Sequence, residues 1–374
     1  MNEDELYRAL QRHLDRMPVP YPSTASGVEI RILKRLFTPD EARLALRLSA
    51  IPEPLETIHR RTRREMTREQ LRDALERMAE KSAIQKLPGE KGPRYGKAPL
   101  VVGMYEGQVN RLTAELERDV RAYLEEALGK EMFGPRTPQM RTVPVHQSIP
   151  VGRAVASFDD IRRHVEAIPG PFAVIPCICR QGRALTGEPC RQTREPRNCL
   201  MLGVAAEMMT AKGIARAVSK EEMLGFLEQA DREGLVLQPQ NTVDPLFVCC
   251  CCGCCCGVLT TAKRLPRPAD FFRANYYAEV NAPLCLACGD CVGRCQMEAI
   301  KLDEAAAFVD LSRCIGCGLC VTTCQTEAMS LVPRSKPLPP PRNTAALYAQ
   351  IYRQRFGTPA LIKAAAAALV HKQV

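Results

Sequence analysis

The sequence predicts a multidomain α+β protein, and three observations support this fold class. The chain has 374 residues, which is long enough for two or three domains. Its N-terminal third carries apolar residues at helical spacing, whereas short apolar runs bounded by turn residues farther on are typical of strands. It contains nineteen cysteines, no tryptophan and few other aromatic residues. Large apolar cores are therefore not expected to account for all of its packing.

The N-terminal region is predicted to begin with several helices. Apolar residues recur at helical spacing over 5–17 and 27–37. Thr38 followed by Pro39 is typical of a helix start, because threonine caps free backbone N–H groups and proline fits the first helical position. A capping box at 67–70 marks the start of another helix.

The same region ends in a predicted hairpin. Residues 82–87 and 94–100 can pair as strands across the turn at 89–92. The order of helices, turn and hairpin resembles the winged-helix fold of bacterial regulators. That resemblance implies that arginines at the turn and the following helix contact DNA phosphates. These are Arg60, Arg61, Arg63, Arg64, Arg68 and Arg72. The alternative is a solvated face on a domain that docks a protein partner or braces the next domain.

The central region contains eleven cysteines, and four of them are widely spaced. The apolar run 172–175 predicts a short buried strand. Cys177 and Cys179 follow it directly, and Cys190 and Cys199 come later in the chain. Nearby arginines favour thiolates and offset the charge of an anionic cluster.

The other seven central cysteines lie in the run 249–256, which is broken only by a glycine. One register through this run gives CxxCxxC, namely Cys249, Cys252 and Cys255. We expect these thiolates to bind a cluster. A fourth ligand would come from Cys177, Cys179, Cys190 or Cys199. Eleven cysteines allow one cluster with spare thiols or two clusters with three thiols left over. Structural zinc and a nucleophilic or disulfide-exchanging thiol are the alternatives.

Two copies of the pattern CxxCxxCxxxC follow the central region. Two-residue gaps let a tight loop turn successive thiolates toward one iron–sulfur cluster, and small glycines let backbone amides approach the sulfides. The first copy is Cys285, Cys288, Cys291 and Cys295, and the second is Cys314, Cys317, Cys320 and Cys324. Structural zinc in a CxxC frame is the alternative.

Residues 276–333 resemble the bacterial dicluster ferredoxins. The resemblance implies two [4Fe–4S] clusters, in which the fourth cysteine of each copy binds the cluster of the other copy. One cluster is then held by Cys285, Cys288, Cys291 and Cys324, and the other by Cys314, Cys317, Cys320 and Cys295. That family usually has proline after the fourth cysteine, whereas Gln296 and Gln325 stand here. Because proline restricts the backbone, its absence is expected to affect local rigidity and the reduction potential of the clusters.

Most of the chain also resembles iron–sulfur proteins of anaerobic bacteria and archaea. The shared pattern is a CxCR segment, two further cysteines, a cysteine cluster and a dicluster ferredoxin domain, and the CxCR segment here is 177–180. The resemblance implies cluster binding and redox work, but it names no substrate. Together with the eleven central cysteines, it predicts one or two further [4Fe–4S] clusters in the central region.

These observations divide the chain into five segments. They are a winged-helix-like domain at 1–108, a helical connector at 109–170, a cysteine-rich cluster-binding domain at 171–270, a dicluster ferredoxin domain at 271–334, and a proline-rich linker with C-terminal helices at 335–374. Prolines make the linker stiff. The helices after it are expected to pack on this chain, with docking on a partner as the alternative.

Composition bears on location and partners. The N-terminus lacks an apolar signal region and no run of about twenty apolar residues occurs, so we expect a cytoplasmic protein with reduced thiols and no membrane span. The formal net charge is +10. A cubane with four thiolates carries about −2, so two to four clusters lower the total to about +6 to +2. Basic charge alone does not argue for nucleic acid.

The predicted function is an oxygen-sensitive electron carrier that moves single electrons through [4Fe–4S] clusters between cytoplasmic redox proteins. One alternative is a redox-sensing winged-helix transcription regulator that binds DNA. Another is an oxidoreductase subunit with a substrate site at the central cluster. No catalytic acid or base is expected. His59, His146 and His164 are interpreted as ordinary surface or packing residues, and no nucleotide-binding loop or nucleophile elbow occurs.

Overall fold

The structure is a computed structural model, and it describes residues 2–134, 136–149, 157–197, 199–369 and 372–373. Within these residues the fold combines helices with small antiparallel sheets, in agreement with the predicted mixture of helix and strand. The chain separates into two compact units, residues 1–135 with 348–374 and residues 136–347. None of the described helices has the length and apolar character needed to cross a membrane.

The N-terminal part of the first unit consists mainly of helices. Its elements are α1 (Glu3–Asp15), α2 (Val28–Leu36), α3 (Pro39–Ala45), β1 (Glu53–Pro54), α4 (Leu55–Thr62), α5 (Arg68–Glu80), β2 (Ile84–Leu87), β3 (Arg94–Lys97), α6 (Ala114–Tyr123) and α7 (Gly129–Phe133). Thr38 and Thr67 each complete a capping box, which confirms the predicted helix starts. The predicted hairpin is also present, since β2 pairs with β3, and β1 pairs with the other edge of β3.

The second unit begins with a five-stranded antiparallel sheet. Its elements are α8 (Ile161–Ala167), β4 (Phe172–Ile175), α9 (Ile178–Leu185), β5 (Cys199–Leu202), α10 (Val204–Ala211), β6 (Arg216–Val218), α11 (Lys220–Arg232), β7 (Val236–Pro239), β8 (Phe247–Cys251) and α12 (Gly257–Ala262). The strand order is β6-β4-β5-β8-β7. Strand β4 is buried along its length, as its apolar run predicts.

The rest of the second unit contains two small hairpin-like sheets. Its elements are β9 (Tyr276–Val280), α13 (Asp290–Arg294), β10 (Ile300–Leu302), β11 (Ala307–Val309), α14 (Leu319–Thr322) and β12 (Met329–Pro333). Strand β9 pairs with β12, and β10 pairs with β11. The first pair joins the two ends of this segment, so the two cysteine loops between them are held in one body.

Two helices end the chain, α15 (Thr344–Phe356) and α16 (Thr358–Leu369). Within the first unit, Arg355 donates hydrogen bonds to the backbone oxygens of Asp15 and Met17 at 3.1 and 2.5 Å. Ile351 is buried, whereas Ile362 on α16 is exposed. Helix α15 therefore packs on this chain, and the apolar side chains of α16 are largely left in solvent.

Candidate metal centres

Glycines shape the two cysteine loops between β9 and β12. Helices α13 and α14 each begin directly after a glycine in the left-handed region, Gly289 and Gly318, with φ of 83° and 78°. Gly316 also has positive φ, and a Cβ atom there would collide with the Tyr276 carbonyl oxygen. The loops can therefore turn tightly and lie close against β9.

The eight cysteines of this segment line two cavities. Cys295, from the first motif copy, lines one cavity together with Cys314, Cys317 and Cys320 from the second. The other cavity is lined by Cys285, Cys288, Cys291 and Cys324. Each cavity thus receives three cysteines from one copy and one from the other. The space free of protein atoms at the two cavities, part of which is open to solvent, is about 380 and 340 Å³.

Backbone N–H groups point at sulfur atoms around both cavities. Ala278 donates to Cys314 Sγ at 3.4 Å, Ala299 to Cys295 Sγ at 3.2 Å, and Ala307 to Cys285 Sγ at 3.4 Å. Such bonds stabilise thiolates and help to set the potential of an iron–sulfur cluster. Four cysteines around an apolar cavity, with amides directed at sulfur, fit a [4Fe–4S] cluster.

The two cavities differ in exposure, and we call them the exposed cavity and the shielded cavity. Cys288 is exposed at the first, where Leu286 and Leu302 also line the wall and are 74% and 42% exposed. At the second, Cys314 and Cys320 are buried, and burial raises the pKa of Cys317 to about 12. Solvent therefore reaches one site more readily than the other.

The five-stranded sheet aligns part of the central cysteines. Ile175, at the end of β4, pairs with Cys199, which pairs in turn with Cys249 on β8. Side chains alternate along a strand, so Cys249 and Cys251 share one face and Cys250 lies on the other. Cys199 and Cys249 Sγ are accordingly 3.9 Å apart.

Six central thiols form a row, which we call the six-thiol row. Its members are Cys177, Cys179, Cys256, Cys251, Cys249 and Cys199, and each is within hydrogen-bond reach of the next in that order. Cys177 precedes α9 and Cys256 precedes α12, so the row joins the sheet to the starts of two helices. Six thiols exceed the four that a single tetrahedral ion takes.

Four other central thiols form a compact group, which we call the four-thiol set. It consists of Cys190, Cys252, Cys254 and Cys255, whose Sγ atoms all lie within 4.8 Å of one another. The Sγ of Cys190 is 3.6 Å from that of Cys252 and 3.8 Å from that of Cys254. A hydrogen bond with Cys252 lowers the pKa of Cys190 to about 5.

Arg180 lies near both groups and is only 6% exposed. Its Nη2 donates to the Cys250 carbonyl oxygen at 2.7 Å, whereas its Nε and Nη1 have no hydrogen-bond partner among the described residues. Burial alone would lower its pKa, but the charge of neighbouring thiolates, Cys177 and Cys252 first, raises it above its usual value. The guanidinium is therefore placed to offset negative charge on both groups.

The structure brings most predicted site residues together, but it divides the central ones differently from the expected register. Cys252 and Cys255 belong to the four-thiol set, whereas Cys249 lies in the six-thiol row with Cys177, Cys179 and Cys199. Cys251, Cys254 and Cys256 also join these groups, although CxxCxxC spacing did not select them. Strand alternation over 247–251 is the signal that links Cys251 to Cys249. Cys250 stands apart, and burial raises its pKa to about 12.

The residue after the fourth cysteine of the first motif copy contacts the cysteine run. Gln296 Oε1 accepts a hydrogen bond of 2.7 Å from the backbone N–H of Gly253. A Cβ at Gly253 would collide with the Gln296 carbonyl oxygen. Nearby, Thr322 on α14 donates to Asp231 on α11 at 2.9 Å. The two cysteine regions are therefore in direct contact.

Comparisons with known proteins agree with an iron–sulfur site in the C-terminal cysteine segment. A family model described as a 4Fe-4S binding domain matches residues 307–330, which include Cys314, Cys317, Cys320 and Cys324. The curated proteins and the solved structures gave no significant match. The chain thus carries a ferredoxin-type 4Fe–4S domain toward its C-terminus and a cysteine-rich cluster in its middle.

Proposed function

We propose that this chain is an iron–sulfur electron-transfer protein that serves redox protein partners. The observation that carries the proposal is the pair of cavities, each lined by three cysteines from one motif copy and one from the other. A zinc site would draw four thiolates to one ion, whereas these thiolates surround open space. The family match to a 4Fe-4S binding domain supports the same conclusion.

The eight cysteines would hold two [4Fe–4S] clusters. Cys285, Cys288, Cys291 and Cys324 would bind one at the exposed cavity, and Cys295, Cys314, Cys317 and Cys320 would bind the other at the shielded cavity. When bound, such a cluster supplies reversible one-electron oxidation and reduction. The chain's own groups fix the thiolates, donate N–H hydrogen bonds to sulfur and exclude water.

Exposure distinguishes the proposed roles of the two sites. Among the apolar side chains that line the exposed cavity, those of Leu286 and Leu302 reach solvent. They offer a surface on which a redox protein can approach the bound thiolates closely. At the shielded cavity, the residue that follows Cys295, Gln296, contacts Gly253 of the central region. We propose that partners exchange electrons at the exposed cavity.

The six-thiol row would hold one further iron–sulfur cluster. It contains more thiols than a single ion binds, and its members come from two strands and the starts of two helices instead of converging on one point. Arg180 supplies positive charge beside it. Two of the six thiols would remain free if the cluster takes four.

Iron and sulfide analysis of anaerobically purified protein, combined with EPR of the reduced state, tests the proposal. The two cavities predict at least about eight iron and eight acid-labile sulfide per chain, and two interacting reduced clusters by EPR. Removing the family-matched cysteine Cys320 by substitution with serine should lower both counts. Zinc in place of iron in the cavities, or iron without sulfide, would refute the electron-transfer function.

A second candidate function is redox-dependent DNA binding by the N-terminal region. The observation that favours it is the element order β1-α4-α5-β2-β3 with the sheet order β1-β3-β2, which supports the winged-helix proposal. The ion pairs of the arginines in this region favour DNA binding less. Arg61 pairs with Glu53, Arg68 with Glu56 and Arg72 with Asp73. This leaves Arg60, Arg63 and Arg64 as exposed cations without an ion pair among the described residues.

The DNA function makes a separate prediction. Binding to duplex DNA should be sequence-selective, should weaken steeply with salt and should change on oxidation of the protein. The double substitution Arg63→Ala and Arg64→Ala should weaken DNA binding. Arg47→Ala is the control, because the Arg47 side chain pairs with Glu65. Equal, weak binding to all sequences would remove this candidate.

A further inference from the structure

The four-thiol set differs in scale from the other cysteine groups of this chain. Among the described residues, it is the one group of three or more histidine, cysteine or acidic side chains whose ligand atoms all lie within 4.8 Å of one another. The four cysteines at each ferredoxin-type cavity are spread too widely to meet that limit. A single ion needs its four ligand atoms close together, whereas a four-iron cluster needs them farther apart. The four-thiol set has the first spacing, and the cysteines at the two cavities have the second.

The spacing within the set matches one tetrahedral ion. Four thiolates at about 2.3 Å from a central metal lie about 3.8 Å from one another, by tetrahedral geometry. In the structure, the Sγ separations are 3.6 Å for Cys190 and Cys252, 3.8 Å for Cys190 and Cys254, and 3.6 Å for Cys254 and Cys255. Sulfur atoms this close leave no room for the body of a cubane between them.

The backbone conformation brings these four thiols together. Strand β8 ends at Cys251, and the chain then turns, with the Cys256 N–H donating to the Cys252 carbonyl oxygen at 3.2 Å. Gly253, inside this turn, is held by the Gln296 side chain. The fourth thiol, Cys190, comes from a distant loop whose Gln192 side chain donates to the Glu233 carbonyl oxygen at 2.6 Å. An ion at this point would tie that loop to the turn.

We propose that Cys190, Cys252, Cys254 and Cys255 form a closed tetrahedral site for one divalent ion, zinc or iron, that contains no sulfide. A borderline-soft ion is expected because all four ligands are thiolates, and a set of four protein ligands without an open position is typical of structural sites. Such a site with Zn²⁺ or Fe²⁺ carries about two negative charges, which the buried Arg180 guanidinium offsets. The ion stabilises the turn and does not take part in electron transfer.

Metal analysis of the intact, anaerobically purified chain tests this site independently of the proposed function. Cys254→Ser should release about one metal ion per chain, and no acid-labile sulfide. Cys250→Ser is the matched control, since Cys250 lies in the same run but outside both thiol groups, and it should release neither. Loss of about four iron with four sulfide from Cys254→Ser, or no change in metal, would overturn the proposal.

X-ray absorption keeps the test valid if Cys254→Ser fails to fold. At the zinc edge, a zinc-loaded site in the wild-type protein should show four sulfur neighbours at about 2.3 Å and no metal neighbour. Cys254→His should change this to three sulfur neighbours and one nitrogen. The iron edge averages over the cluster irons, so an iron-loaded site is sought instead by Mössbauer spectroscopy, as about one high-spin Fe²⁺ per chain with four sulfur ligands. If neither measurement finds a sulfur-only site free of metal neighbours, the inference fails.

Discussion

Gln296 and Gly253 join the two cysteine regions by a hydrogen bond of 2.7 Å between side-chain oxygen and backbone N–H. Gln296 directly follows Cys295 of the shielded cavity, and Gly253 lies between Cys252 and Cys254 of the four-thiol set. A proline at position 296 would supply no such acceptor. The departure from the ferredoxin pattern at this position therefore has a structural role.

The first prediction concerns this contact. Gln296→Ala should leave the Gly253 N–H without its partner, at a cost of about 1–2 kcal/mol, so exchange of that amide should speed up about five- to thirty-fold. Hydrogen exchange followed by mass spectrometry over 249–256 measures the effect. Gln325→Ala is the control, because Gln325 occupies the equivalent position in the second motif copy and is exposed. Equal effects of the two variants would contradict the assigned role.

The second prediction concerns crossed ligation. Cys295→Ala should abolish the cluster signal associated with Cys314, Cys317 and Cys320, because Cys295 lines the shielded cavity with them. Cys324→Ala should instead damage the site of Cys285, Cys288 and Cys291. EPR of each reduced variant, with iron counts, distinguishes the two sites. The reverse assignment would show that each motif copy binds its own cluster.

The third prediction is an order of damage in air. The site at the exposed cavity should lose iron first, because Cys288 is exposed there while Cys314 and Cys320 at the shielded cavity are buried. Brief exposure to oxygen, followed by anaerobic EPR at intervals, measures the two losses. We expect the first signal to decay several-fold faster. Decay of both signals at one rate would mean that exposure does not govern stability.

The fourth prediction concerns pH and the first unit. Burial lowers the pKa of His13 from 6.5 to about 4, and its Nε2 lies 2.9 Å from the Leu48 carbonyl oxygen, to which it donates in the neutral form. Between these pH values the unfolded chain binds a proton that the folded chain excludes, so stability falls as pH drops from about 6.5 toward 4. The loss between pH 6.5 and 5 is about 2 kcal/mol.

His13→Gln tests this pH dependence. Glutamine can still donate to the Leu48 carbonyl oxygen but does not titrate, so most of the loss between pH 6.5 and 5 should disappear. Hydrogen exchange of α1 amides at the two pH values reports the stability of this unit. Wild type and variant should agree above pH 7. An unchanged slope in the variant would assign the acid sensitivity to other groups.

The ferredoxin-type segment was largely predictable from sequence, whereas the grouping of the central cysteines was not. Cys285, Cys288 and Cys291 lie within seven consecutive residues and line one cavity, so their spacing in the sequence reflects their proximity in the fold directly. The central groups depend on strand pairing. Cys199 meets Cys249 only because β5 pairs with β8, and Cys190 reaches Cys252 across sixty-two positions of sequence.

The cysteine run shows why one register was insufficient. CxxCxxC spacing assumes a continuous loop, but the run begins on a strand and continues in a turn. On the strand, Cys249 and Cys251 share a face because the repeat is two residues. In the turn, Cys252, Cys254 and Cys255 converge. Two local conformations therefore divide one run of cysteines between two groups.

Burial of the Arg180 guanidinium would make the lifetime of the chain depend on the proposed metal centres. If the anionic centres were removed, the positive charge of Arg180 would be left buried without a compensating negative charge. An uncompensated buried charge destabilises a fold by about 3–5 kcal/mol. We expect iron chelation in cells to shorten the half-life of the protein, and Arg180→Met to lessen that effect in a pulse-chase measurement. Proteolysis would then adjust the amount of this protein to the supply of iron.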